Sequence, residues 1–358
     1  MTPHQLIDTA SRHQVYLEGL KTGIVRDFNK VFDFINIATN DVLRALQVDV
    51  LSDLQRTELE KLLTELRDQH TILMDKQIDS FLGQMPAVAD YESKFEARAL
   101  ASVMVGKGKK RIKTPPAEKA FREANKRPVQ ATGELLEHLV RDFATRAVTR
   151  INNVVRIGYE QGLTVPQIVS AIRGTKALRF KDGVTEVTRR QASTVVRTAV
   201  QHVASTARQV TWEKNSDLVQ GVEWVSTLDG RTTTQCRSLD GKKFKLDEGP
   251  RPPIHANCRS TTAPDLDPAF DFLDEGATRS AAGGPVDANQ TYYAWLKSQD
   301  SAFQDSVIGP TRGKLLRDGG LTSEQFAALQ LDKNWQPLTL DEMKKLEPLA
   351  FQRAGLTN

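Results

Sequence analysis

The strongest constraint in this 358-residue chain is an apolar stripe that steps by three and four. Leu17, Leu20, Ile24, Phe28, Val31, Ile35, Ala38 and Val42 fall along one face of a helix, and Leu59, Leu62, Leu66, His70 and Leu73 repeat the pattern. Thr57 and Glu58–Glu60 read as a capped start for the second run. Two long helices joined near Val48 to Asp53 fit either an antiparallel hairpin inside an ordinary helical core or a coiled-coil arm. Hydrophobic residues make up 39% and charged residues 26%, enough apolar material to bury a core, so wholesale disorder is not expected. Aromatics at 6% favour aliphatic helix packing over a sandwich or barrel. No window approaches an uninterrupted membrane-length apolar run, and Met1 to Ser11 has no apolar signal core.

The composition shifts between Gly106 and Arg127. Lys107, Lys109, Lys110, Arg111, Lys113, Lys119, Arg122, Lys126 and Arg127 face only Glu118 and Glu123, around the Pro115–Pro116 step. Glycine and paired prolines break helices and like charges repel, so the first half of this stretch is expected to be an exposed linker. It is either a solvated hinge or a contact for phosphate backbone, with Lys107, Lys109, Lys110, Arg111 and Lys113 the candidate nucleic-acid-binding residues. A net charge of +4 places any such contact locally rather than over the whole surface.

Past the linker the helical period returns. Leu135, Leu136, Leu139, Val140, Phe143, Ala147, Ile151, Val154 and Val155 mark one helix, ended by a turn at Gly162. Thr164 caps a short helix with Pro166 in its first turn, and Gly174 ends it. A long helix follows from Thr185 to Glu213. Val222 to Val225 reads as a strand, with another short one near Lys243 to Leu246. An irregular stretch is expected at Ala277 to Pro285, then short helices at Tyr292–Lys297, Ser323–Leu329 and Leu340–Leu346.

The two cysteines, Cys236 and Cys258, are too few for a disulfide scaffold, which favours synthesis in a reducing cytoplasm. They share one loop-rich segment with His255, Asp229 and Asp240. His255-x-x-Cys258 plus Cys236 supplies three of the four ligands that tetrahedral zinc prefers, with Asp229, Asp240 or water as the fourth. Two other readings stay open: a packed, reduced pair of thiols with His255 hydrogen-bonded, and a disulfide formed outside the cell. A nuclease built on His255, Asp229 and Asp240 around a divalent metal is the catalytic alternative. Against it, no phosphate-cradling glycine loop and no Gly-x-Ser-x-Gly elbow occurs. His4, His13, His70, His138 and His202 are scattered on expected helices as surface or core residues.

Asp229, Arg231, Thr232, Cys236, Leu239-Asp240-Gly241, Pro252-Pro253, His255 and Cys258-Arg259 stand in the order of a known signature. The segment resembles the C-terminal signature of the Mu F-like minor head proteins of tailed bacteriophages. Gly162 to Gly174 and Val195 to Arg208 resemble the helices that precede it, so the resemblance spans roughly Leu135 to Pro264. Ala199 stands where an acidic residue is usual, and the first Cys of the Cys-x-x-Cys version is absent. The resemblance implies a low-copy virion protein in the head or at the portal vertex. Portal and capsid proteins, and genomic DNA, are its implied partners, and its implied role is assembly, packaging or delivery rather than catalysis.

The expected fold is mainly α: a helical bundle with a long N-terminal helical arm and a small loop-rich α+β C-terminal cap. Its expected segments are 1–105 (arm), 106–128 (basic linker), 129–264 (Mu F-like domain) and 265–358 (an extension of short helices).

Overall fold

The computed structural model of the protein describes residues 3–104, 111–266 and 277–356. Its first part is helical: α1 (Pro3–Asn29), α2 (Val31–Ala45), a single 3-10 turn (Leu51–Asp53), α3 (Arg56–Val103), α4 (Ala117–Lys126), α5 (Leu136–Glu160), α6 (Val165–Arg173) and α7 (Val184–Lys214). The predicted stripe is buried, but the first helix is two. The chain turns at Lys30, where the ladder tightens to Lys30 N–Asp27 O and Asp33 N–Lys30 O bonds. That small break lets Phe28, Val31, Phe32 and Ile35 all face inward. Phe28 meets Phe81 of α3 edge to face, ring centres 5.7 Å apart.

α3 spans 48 residues and runs well past the stripe legible to Leu73, carrying Ile78, Phe81, Met85 and Leu100 inward. Its start is closed by a reciprocal pair two residues earlier than expected: Gln55 takes the Glu58 amide, and the Glu58 carboxylate accepts from Gln55 N at 2.8 Å. Thr57 therefore lies inside the helix, not at its cap. The Thr164 cap forms as read, with Gln167 answering it, and Gly174 closes α6 at φ +95°. α5 and α6 touch closely at Gly158, where a Cβ would lie 2.5 Å from Ile168 Cγ1.

The N-terminal helical arm folds back into the bundle. Leu17, Phe28, Leu66 and Phe81 share one apolar core with Phe143, Ile151, Ile168, Val196 and Val203. Within the basic stretch, residues 117–126 are helical, and Ala120 and Ala124 are fully buried against that core. Helix formation there reflects this alanine face, with the charges turned outward.

The cap is a three-stranded antiparallel sheet in the order β2-β1-β3, formed by β1 (Val219–Val225), β2 (Lys243–Lys245) and β3 (Thr261–Leu266). Helix α8 (Thr234–Leu239) lies between β1 and β2. Leu6, Ile7 and Ala10 of α1 are buried beside the sheet, with Ile7 and Ala10 packed on Val225 and Ala263.

The irregular stretch expected around 277–285 is a hairpin, β4 (Thr278–Ala281) and β5 (Gly284–Asp287). Helices α9 (Tyr292–Lys297), α10 (Ser301–Ile308), α11 (Pro310–Asp318), α12 (Ser323–Ala328), α13 (Leu340–Leu346) and α14 (Pro348–Arg353) follow. They enclose a second core of Tyr292, Trp295, Leu315, Phe326, Met343 and Phe351, which also takes Leu228 from the loop after β1. Among the described residues, no helix is long and apolar enough to cross a membrane.

Candidate metal centre and the cleft beside it

Chain order places the two cysteines 22 residues apart, and two local structures bring them together. The first is α8. Thr233 caps it by accepting from Cys236 N, which turns the Cys236 side chain toward the interior. Ser226 supports the turn by donating to Cys236 O at 2.6 Å, while accepting from the indole of fully buried Trp224 at 3.1 Å. The second is the loop from Leu246 to Ser260. Pro252 and Pro253 are buried in it, and Asn257 adopts a left-handed conformation at φ +57°. Asn257 docks this loop on α7, its amide donating to Thr198 Oγ1 at 3.2 Å and its side chain to Thr194 Oγ1 at 3.1 Å.

Cys236, His255 and Cys258 meet where these structures touch. The two sulfurs are 3.7 Å apart, Cys236 Sγ is 3.1 Å from His255 Nε2, and all three donor atoms lie within 4.8 Å of one another. Both thiols are free, and each residue is 1% exposed. His255 Nδ1 faces the Ala256 carbonyl at 2.9 Å. A carbonyl only accepts, so Nδ1 carries a proton there and Nε2 is turned to the sulfurs.

The two thiols differ in electrostatic setting. Burial, with Cys258 close by, pushes the Cys236 thiol up. Burial also works against ionising Cys258, but hydrogen bonds from Cys236 and His255 and the imidazole charge outweigh it and hold that thiol well below its usual value. His255 is correspondingly raised: burial opposes its charge, and the hydrogen bond and charge of Cys258 prevail.

Asp229, expected as a fourth ligand, is not part of this group. Its two oxygens accept from Arg259 at 2.7 and 2.8 Å, and one also takes the Arg231 amide at 2.9 Å. Burial alone would raise its pKa, yet the Arg259 hydrogen bonds and charge keep it lowered. Asp240 is equally committed. It is a buried carboxylate that accepts from Arg279 through both oxygens at 3.0 Å, from Ser226 N at 2.6 Å and from Tyr292 N at 2.7 Å. Next to it, Gly241 sits at φ +78°, where a Cβ would come within 2.9 Å of Thr291. Arg231 is exposed beside Asp229, and Thr232 donates to the Thr227 carbonyl.

A cleft of about 850 Å³ runs between α1, α7 and this loop. Glu18, Thr194, Arg197, Thr233, His255 and Arg259 are among the residues that line it. Arg197 donates to Glu18 at 3.2 Å and to Thr22 at 2.9 Å across the gap. Below the rim, Lys21 is almost wholly buried and donates to Glu18 at 2.6 Å and to Gln201, which in turn donates to Ser260 O at 3.2 Å. Burial lowers the Lys21 pKa, and Glu18 pulls back against it.

Of the other candidates, Arg111 and Lys113 are exposed, and the Lys113 backbone is pinned to Asn215 at the end of α7 by two 2.9 Å bonds. Lys107, Lys109 and Lys110 lie outside the described residues. Four of the scattered histidines divide between core and surface, and the side chain of His4 lies outside the described residues. His13, His70 and His202 are buried, hydrogen-bonded to Glu92, Thr39 and Ala124 O respectively, and His138 is exposed. The residues that sequence reasoning missed are Lys21 and Arg279. A lysine four residues after Leu17 on the buried stripe was a readable signal for the first, and nothing local marked the second.

No curated protein and no solved structure matches the chain significantly. One family model does, described as Phage Mu protein F like protein, over residues 149–263. That span begins inside α5 and ends in β3, so it takes in α6, α7, the Cys/His loop and the cap sheet. Over residues 149–263 the chain is similar to the phage Mu protein F-like family.

Proposed function

We propose that the protein is a structural component of a tailed-phage head, which acts in head assembly at the portal and in packaging or delivery of the genome. The observation that carries this reading is the match over residues 149–263, taken with how the signature residues are used. Asp229 is neutralised by Arg259 and Asp240 by Arg279, so the carboxylates that a metal-dependent nuclease would need serve to hold loops together. Portal and capsid proteins are the proposed partners. Mass spectrometry of purified virions is the test. The protein is expected in intact particles and in isolated heads at a few copies each, and comparison before and after genome release shows whether it leaves with the DNA. Its absence from heads would end this reading, as would cleavage of plasmid by the purified protein with magnesium or manganese.

Genomic DNA is a second proposed partner, favoured by the exposure of Arg111, Lys113, Lys119, Arg122 and Lys126 on one basic stretch. Neutralising Lys109, Lys110, Arg111 and Lys113 together is expected to weaken DNA binding uniformly across sequences. The slope of log K against log salt should fall by up to about 4, if each sits on a phosphate. An unchanged gel-shift affinity and salt slope would remove this stretch as the contact.

A further inference from the structure

The donor atoms of the Cys/His group already have the spacing that a tetrahedral zinc ion imposes. Zinc–sulfur bonds of about 2.3 Å and zinc–nitrogen bonds of about 2.0 Å put two sulfurs about 3.8 Å apart and a sulfur and a nitrogen about 3.6 Å apart. Here the sulfurs are 3.7 Å apart, and the Cys236 Sγ–His255 Nε2 distance of 3.1 Å needs only a small rotation of the ring to match. The imidazole is also prepared for a metal. Its Nδ1–H is spent on the Ala256 carbonyl at 2.9 Å, the outer-shell hydrogen bond that fixes a ligating histidine with Nε2 forward.

The fourth corner is the informative one. Asp229 and Asp240 are both occupied by arginines. Thr233 stands beside it, its Oγ1 2.9 Å from His255 Nε2, and a neutral hydroxyl is a weak zinc donor. Thr233 and His255 both line the cleft, whereas the two sulfurs are buried. We propose that Cys236, His255 and Cys258 bind one zinc ion whose fourth position, beside Thr233, opens on the cleft and takes water or a small anion. Three protein ligands with one exchangeable position distinguish this centre from a closed four-ligand structural site. It also ties α8 to the loop before β3 across 22 residues of sequence. This inference is independent of the head-protein reading, which stands or falls on the virion.

Full-length protein, purified under reducing conditions with its tag removed, is expected to hold one zinc per chain by elemental analysis. Chelation should lower its melting temperature. The cobalt-substituted protein should show the intense visible bands of a four-coordinate thiolate site, and those bands should shift when azide is added. Thr233→Cys closes the fourth corner with a third sulfur. Its cobalt bands should ignore azide, and its zinc should resist chelator by more than the roughly ten-fold that a change around a ligand produces. Cys258→Ser should lose the metal. If that variant does not fold, His255→Gln and Thr233→Cys still decide the matter. Zinc at background in folded, reduced wild type overturns the site, whether the sulfurs are found as thiols or as a disulfide. Wild-type cobalt bands that ignore azide overturn the open position.

Discussion

Replacing Arg279 with methionine lowers the stability of the protein by about 3–5 kcal/mol, the usual cost of leaving one partner of a buried ion pair alone. Arg279 and Asp240 have side chains only 2% and 0% exposed, so neither charge has water to fall back on. Asp240 sits immediately before Gly241 in the signature loop, and Arg279 lies on β4, outside the family-matched span. Arg279 also donates to the Ser226 carbonyl at 2.6 Å, so one guanidinium joins the end of β1, the end of α8 and the hairpin. Methionine keeps much of the length and removes the charge. Adding Asp240→Asn to this variant takes away the stranded carboxylate and is expected to recover part of the loss. Recovery stays incomplete because the Ser226 and Tyr292 amides lose a charged acceptor. Urea denaturation of the wild type, the single variant and the double variant measures this directly. A single-variant loss below about 1 kcal/mol, the range of a surface ion pair, would show that the pair does not clamp these elements together. The same reasoning makes the C-terminal segment part of the support of the family-matched span, since cutting the chain after β3 strands Asp240 in the same way.

That pair also shows where sequence reading stops. The long helices α5 and α7 were legible because burial repeats along them: α7 begins and ends within one residue of its expected limits, α5 closes just before the turn read at Gly162, and the Thr164 cap needs only its neighbours. The Cys/His group was legible because rare residue types in one short segment have few reasons to cluster. Strand β3, Thr261–Leu266, was hidden by Pro264. It exists because β1 supplies the pairing and an edge strand tolerates a proline. Helix α8 has six residues, too few for a period, and is set by its cap. α10 buries chiefly Gln304, so it has no apolar stripe to read. Asp229 and Asp240 could be named as candidate ligands from spacing alone. Their true partners could not, because an arginine contact across 30 or 39 residues depends on how loops fold back.

Glutamate 96 should make folding stability depend on pH in a way that Glu96→Gln abolishes. Glu96 lies on α3 with its Oε2 accepting from the Trp212 indole at 3.0 Å. Arg208 of α7 and Glu92 are beside it, and Glu92 also meets His13 at 2.8 Å and Arg208 at 3.4 Å. Burial pushes its carboxyl up to about 7, against the pull of Arg208 and Trp212 and with a further push from Glu92. The sign follows from which state gives up its proton first. Below about pH 4.5 the group is protonated in both states, and its contribution is fully present. Between about 4.5 and 7 the unfolded chain ionises first, so stability falls as pH rises, by about 3 kcal/mol in all at 1.36 kcal/mol per unit. Glutamine keeps the acceptor for Trp212 and has no proton to lose. His70, on the same helix, acts in the opposite direction. Burial lowers its pKa to about 4, so the stability of its neutral form is lost as pH falls from about 6.5. The two are 26 residues apart, about 39 Å along the helix, too far to couple. The raw wild-type profile therefore mixes both effects, and the difference between wild type and Glu96→Gln isolates one. Urea unfolding at pH 5 and pH 8 should find the variant gaining on the wild type by about 2–3 kcal/mol over that interval. Parallel profiles would mean that Glu96 ionises in the core as freely as in water, and that Arg208 compensates its burial in full.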